Sequence, residues 1–282
     1  MAIADPLSAT PWIAELSLSF EQVGERTRLR RGKAEGPLYV QKPFYPEGGV
    51  CHLYLLHPPG GVAGGDELTF VADVNIGTGV LITTPAATKF MRSAGKTATQ
   101  SHSFSVADKA FLEWLPQETI VFDCAHARSE TRVRLAPEAT FVGCDVVSLG
   151  RPVNNELFET GFYTGVLSIE RFCQQTQGYR PVYLDRQHYA GASDALVQGW
   201  GLGGSPVFGT LVATSADADV LGAIRQKTAD SSVRATLVGE VLVVRCLGDS
   251  TEFVQQRLRK VWALLRPMLL NRAPHPPAIW RT

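Results

Sequence analysis

The residues best suited to chemistry in this chain are acids and hydroxyls set beside turns: Asp66, Thr83, Thr84, Thr88, Asp145 and Asp185. Oxygen ligands of this kind bind a cation loosely and let it exchange, whereas imidazole and thiolate hold a borderline ion tightly. Taken singly, each is also what a solvated turn carries. The most distinctive stretch ends in one of these acids: His57-Pro58-Pro59-Gly60-Gly61-Val62-Ala63-Gly64-Gly65-Asp66. Its prolines stiffen the entry and remove two backbone donors. Its glycines permit positive φ or close backbone approach. Such a loop could serve an anion, a metal or a partner chain; it could equally be a tight turn with Asp66 as a capping acid. It lacks the Lys-Ser/Thr ending of a phosphate loop, and a strand pattern follows it, which points away from a helix-dipole phosphate site.

Catalytic signatures are absent: there is no G-x-S-x-G elbow and no H-E-x-x-H helix. Two carboxylate pairs, Glu113 with Glu118 and Asp66 with Asp145, leave acid–base chemistry open if the fold unites either pair. The six histidines stand at 52, 57, 102, 126, 188 and 275, without the spacing of a structural zinc site. Asp123-Cys124-Ala125-His126 groups an acid, a thiol and an imidazole; the plainer reading is a loop with a buried thiol and an exposed imidazole. The five cysteines are scattered and form no C-x-x-C pair, which suits free thiols in a reducing cytosol.

The elements that position these residues are mostly strands. Ala14, Leu16, Leu18 and Phe20 alternate with polar neighbours, a period of two. Short strands are expected around 28–30, 38–40, 68–74, 80–84, 97–106, 110–115, 119–122, 131–135, 141–149, 165–172, 182–189 and 207–213. A mainly β chain of this spacing forms a sandwich, a barrel or a β-helical, multi-sheet body. The C-terminal third adds about two helices. One spans 215–227 with Ser215 as its N-cap, and one spans 251–270, capped by Asp249 or Ser250. Between them a hairpin, 233–238 and 241–246, turns at Gly239. In the longer helix Val254, Leu258, Val261, Leu265 and Met268 form an apolar stripe, and Pro267 should kink or end it. The stripe reads first as a core face. Arg257, Lys260, Trp262 and Arg266 are the candidates for a partner-binding face.

No linker divides the 282 residues, so one domain, 1–282, is expected. Lys plus Arg equals Asp plus Glu at 27 each, which offers no electrostatic footprint for nucleic acid. Zero net charge also removes the repulsion that keeps proteins apart, so the chain is expected to work inside a complex. No signal peptide opens the sequence, and no run reaches the ~20 apolar residues of a membrane span. A soluble cytoplasmic protein is the expectation.

Together the motifs resemble a known family. The loop 57–66 is similar to the signature of the urease accessory protein UreD, also called UreH. Three blocks follow in the family's order: Thr83-Thr84-Pro85-Ala86-Ala87-Thr88-Lys89-Phe90-Met91-Arg92-Ser93, Leu112-Glu113-Trp114-Leu115-Pro116-Gln117-Glu118-Thr119-Ile120-Val121-Phe122-Asp123, and Leu149-Gly150-Arg151-Pro152. Leu264-Leu265-Arg266-Pro267 and the closing Ile279-Trp280 resemble the family's ending. Departures are Ala86 where the family has glycine, Met91 where it has an aromatic, Cys124 in place of glycine, and Ala278 in place of arginine.

The resemblance implies a non-enzymatic maturation factor with a β-helical body and a pair of helices. It implies work with UreF, with the GTPase UreG through UreF, and with apo-urease, in a dimeric higher-order complex that delivers nickel. Nickel would be transient cargo, with no metal or cofactor tightly bound. By motif position Asp66, Thr88 and Asp145 would line an internal nickel route, with Asp185 a weaker match. A conduit of scattered oxygen ligands fits the physics, since an unpaired divalent charge cannot cross a dry core. The alternative is a pure assembly adaptor that reshapes urease without conducting nickel.

Overall fold

The structure is a computed structural model and describes residues 11–228 and 232–281. Residues 1–10, where no signal peptide is expected, lie outside the described residues. Strands dominate. In chain order they are β1 (Ile13–Val23), β2 (Arg26–Glu35), β3 (Tyr39–Val40), β4 (Cys51–Leu56), β5 (Glu67–Val74), β6 (Gly79–Thr83), β7 (Thr88–Phe90), β8 (Ala98–Val106) and β9 (Phe111–Trp114). There follow β10 (Thr119–Val121), β11 (His126–Leu135), β12 (Thr140–Leu149), β13 (Phe162–Cys173), β14 (Gly178–Ala190), β15 (Val207–Ala213), β16 (Val233–Val238) and β17 (Val241–Gly248). The helices are α1 (Asp194–Val197), α2 (Ala218–Lys227) and α3 (Thr251–Leu269).

One sheet runs β14-β13-β11-β8-β5-β1-β2; the other runs β16-β17-β15-β12-β9-β6-β4-β3, with β10 attached at β12 and β7 at β10. Between β4 and β13 the chain passes repeatedly from one sheet to the other. The neighbours this creates within each sheet are parallel and in register. That is a β-helical coil, as expected. Antiparallel strands finish both sheets, β2 and β14 on one and β15, β17 and β16 on the other.

The ten-stranded sheet is the central layer. One apolar core, with Phe20, Phe70, Phe104, Phe141 and Val147, fills the space between the sheets. A second, with Leu81, Leu211, Val244, Leu258 and Val261, lies between the central sheet and α2 and α3. Burial on both faces explains why β6 and β15 are buried at every position and mostly apolar, while β1 alternates. Among the described residues no helix is long and apolar enough to cross a membrane. The five cysteines are free.

Several local expectations need correction. The strand expected at 28–30 runs on through Gly32 to Glu35, because the β1–β2 register shifts between Leu16 and Leu18. At that irregularity a Cβ on Gly32 would meet Ser17 O at 3.0 Å. The first of the two expected helices starts at Ala218, not at 215; Asp217 caps it by accepting from the amides of Asp219 and Val220. Ser215 instead has φ 62°. The single turn α1 was not anticipated. Ser250 caps α3 through Phe253 N, and Pro267 is carried inside its last turn without ending it there. Met268, placed on the apolar stripe, is 44% exposed.

Candidate functional site

The loop 57–66 joins β4 to β5 and is built to dock. Val62 donates to Lys89 O at 2.7 Å and accepts from Met91 N at 2.9 Å. Asp66 Oδ1 accepts from Trp12 N and Oδ2 from Ala63 N, both at 2.8 Å. The carboxylate is 7% exposed and its two oxygens are occupied, so the capping role is the one observed. Gly60 and Gly65 have φ 81° and 97°. Gly61 is needed for a different reason, since a Cβ there would lie 2.8 Å from Cγ of Met91. His57 Nε2 is buried without a partner. Burial lowers the pKa of this ring, and the charge of Asp66 opposes the shift. The other blocks meet here: β7 pairs with β10, Ser93 N donates to Cys124 O, and Gly150 N donates to Val121 O.

Strand phase then decides what faces the space between the sheets. On β8 the inward positions are Ala98, Gln100, His102, Phe104 and Val106; on β11 they are Ala127, Ser129, Thr131, Val133 and Leu135. On β12 they are Phe141, Gly143, Asp145, Val147 and Leu149. Polar residues occupy the same depth on each strand. Parallel register sets His102 beside Thr131 and Gln100 beside Ser129. The rungs continue through Leu167 and Gly165 of β13 to Asp185 and Gln187 of β14. In the facing sheet Asp145 pairs with Thr210, and Thr210 with Arg245.

This polar row lines an interior cavity of about 70 Å³, with Thr88, Asp145 and Asp185 in its wall. That volume holds a few water molecules. A second cavity of about 300 Å³ opens beside His57 and Pro58. Both count Thr84, Thr88, Gln100 and His102 among their walls, so they adjoin. Space is left by small residues: a Cβ on Gly143 would sit 2.7 Å from the Phe141 ring, and one on Gly165 2.9 Å from the Tyr163 hydroxyl.

The charges in the row are few and perturbed. Burial pushes the Asp145 carboxyl up to about 6, against hydrogen bonds from Tyr163 and Val146 N. Asp145 is nevertheless exposed, because it opens onto the cavity. The two facts agree if confined water hydrates a carboxylate less well than bulk water does. Burial pushes Cys144 up to about 12, so it stays a thiol. Burial lowers His102 to about 3; its neutral ring meets Gln100 at 2.7 Å and Thr131 at 3.1 Å. Asp185 pairs with Arg245 at 2.9 Å. Among the described residues no three His, Cys, Asp or Glu side chains are grouped to hold a metal ion. The row offers oxygen ligands scattered along the cavity wall.

The family model described as UreD urease accessory protein matches residues 13–281. The chain is 39% identical to a urease accessory protein UreD of Dechloromonas aromatica, over 100% of this chain and 99% of the relative. It is 40% identical to those of Pseudomonas entomophila (99% and 98% covered) and Citrobacter koseri (96% and 92%). The chain belongs to the UreD family of urease accessory proteins. Its UreD relatives are named as accessory proteins, not as enzymes. That agrees with the geometry of the two carboxylate pairs. Glu113 is buried against Arg266 and Trp262, while Glu118 is bonded to Gln255. Asp66 lines neither of the two cavities that the polar row borders, and Asp145 lines the inner one.

In this UreD chain the four helix residues offered as a partner face do not share one. Trp262 and Arg266 are 2% and 1% exposed and point inward: Trp262 Nε1 donates to Glu113 at 2.6 Å, and Arg266 Nη2 to Glu113 and Glu47 at 2.7 Å each. Lys260 is exposed, and Arg257 stacks on Phe253 at 5.1 Å. Thr83 is taken by structure, donating to Leu115 O and accepting from Trp280 Nε1. In the segment 123–126, Cys124 has φ 64°, a conformation that glycine adopts without strain; its thiol is half-buried against Asp123 and Thr160. Of the four acids and hydroxyls assigned to a route, the structure brings Thr88, Asp145 and Asp185 to one cavity and sets Asp66 apart. Sequence reasoning missed Gln100, His102, Ser129, Thr131, Gln187 and Thr210. Their signal is a polar residue on the apolar phase of a strand.

Proposed function

We propose that this UreD-family chain serves urease maturation by passing nickel through the polar row between its sheets. Nickel is cargo, arriving from UreG through UreF and leaving toward apo-urease, within a dimeric higher-order complex. The observation that carries the reading is Asp145: an ionisable carboxyl on an inward position of a central strand, opening onto a cavity that adjoins a second one. A core carboxyl with a raised pKa is unfavourable for stability and calls for a reason. A hydrated cation moving between oxygen ligands supplies one. Asp145, Thr88 and Asp185 offer such ligands, with no cluster that would trap the ion.

The test is nickel content of urease matured with Asp145→Ala or Thr88→Trp in place of the native chain. Both variants should co-purify with UreF and urease while nickel loading falls. Normal loading with a filled cavity would refute the passage. One observation favours the adaptor reading for part of the chain: Asp66 is spent on capping its own loop. Asp66→Ala should therefore weaken folding and assembly together.

A further inference from the structure

An interior passage needs a way out, and Asp185 marks one. It belongs both to the wall of the 70 Å³ cavity and to that of an open groove of about 480 Å³ on the flank of the protein. The groove lies where the sheets part: β14 is the last strand of one sheet, and β17 the last but one of the other. Tyr183 and Asp185 line it from β14, Val243 and Arg245 from β17. Across the gap Arg245 Nη2 donates to Asp185 Oδ2 at 2.9 Å, and Gln187 Nε2 donates to the same oxygen at 2.9 Å. Arg245 lines the groove and not the inner cavity, so its guanidinium covers Asp185 from the outer side.

We propose that this groove is a second mouth of the polar passage and that Arg245 is its gate, an inference that rests on the nickel-passing reading above. A divalent cation moving from Asp145 to Asp185 meets a carboxylate already neutralised by a resident cation. It proceeds only by displacing the guanidinium. The pair suits that exchange. The Arg245 side chain is 47% exposed and has the groove to swing into, while Asp185 is 16% exposed and stays at the cavity wall. Ion pairs this open to water are weakly held. Arginine keeps its proton throughout, so opening is competition between cations rather than titration. The same pair could simply clasp the two sheets, and the two roles give different results.

The experiment titrates Ni²⁺ into the full chain carrying ¹³C-carboxyl aspartate and follows paramagnetic broadening of the Asp145 signal, assigned by its loss in Asp145→Asn. Removing the competitor in Arg245→Gln should tighten apparent Ni²⁺ binding about fivefold. Arg245→Lys should restore native behaviour, and adding Asp185→Asn should abolish the gain. Equal titrations in the native chain and Arg245→Gln overturn the gate and leave the passage standing, whether or not the variant melts earlier. Absence of broadening at Asp145 in both chains overturns the passage and the gate with it.

Discussion

Replacing Asp145 by Asn should make the protein more stable while impairing its work. Burial raises this carboxyl from 3.8 to about 6. Two units correspond to roughly 3 kcal/mol of disfavoured ionisation. Because Asp145 is exposed toward the cavity, that figure is an upper bound, and screening leaves about 1.5 kcal/mol. The sign follows from linkage. The folded chain holds this proton more tightly than the unfolded chain, so native stability falls as pH rises from about 3.8 to about 6 and is flat above. Asparagine carries no such charge and keeps an oxygen for the Tyr163 hydroxyl, now 3.5 Å from the carboxylate. Urea unfolding at pH 8 should show Asp145→Asn about 1.5 kcal/mol more stable, roughly 4 °C in melting temperature. Near pH 4 the gain should shrink to roughly a few tenths of a kcal/mol. A variant less stable at pH 8, or a gain that does not vary with pH, would refute the assignment of Asp145 as a desolvated carboxylate.

Three further outcomes follow from other groups. Arg266→Met strands Glu113, which is wholly buried, and should cost about 3–5 kcal/mol in chemical denaturation. Glu47 is pushed up by burial but held down to about 2 by its bonds to His52 and Arg266. Its contribution, about 3 kcal/mol, is therefore present above pH ~4.5 and lost as pH falls toward 2; Glu47→Gln should flatten acid unfolding over that range. Cys124 holds a left-handed conformation at φ 64°, so Cys124→Gly should raise stability by about 1 kcal/mol in the same assay, less whatever its contacts with Asp123 and Thr160 contribute.

The strand body was legible because β1 and β8 alternate in period two, with one face toward the core. The central sheet was harder to place, since β15 is buried at every position and its mostly apolar residues carry no alternation. Thr88, Asp145 and Asp185 meet at one cavity although 97 residues of chain separate the first from the last. Asp66 stands apart for a reason that is partly non-local: beside Ala63 N, it is held by the backbone of Trp12, 54 residues earlier. The same limit hid the burial of Trp262 and Arg266, whose partner Glu113 lies 149 and 153 residues away. On a helical wheel an arginine and a tryptophan beside an apolar stripe look like a rim; only the facing acid turns them into core.

The coil itself accounts for a wet layer inside a stable body. Parallel strands in register place one inward residue per strand at each depth, so substitutions at one depth align into a row. Gln100 and His102, Ser129 and Thr131, Gln187 and Asp185, Thr210 and Asp145 all fall at that depth. Phe104, Val133, Ile169 and Phe141 lie on one side of it, and Ala98, Ala127, Tyr163 and Val147 on the other, all buried. The polar row is thus confined between dry layers, and the sheet that carries Asp145 is backed by a second apolar core under α3. That backing lets the inner face of β12 give up packing at Gly143 and Asp145 without losing its place. The antiparallel strands that finish the sheets keep the same phase, so β14 extends the row with Asp185 and Gln187 and β15 with Thr210.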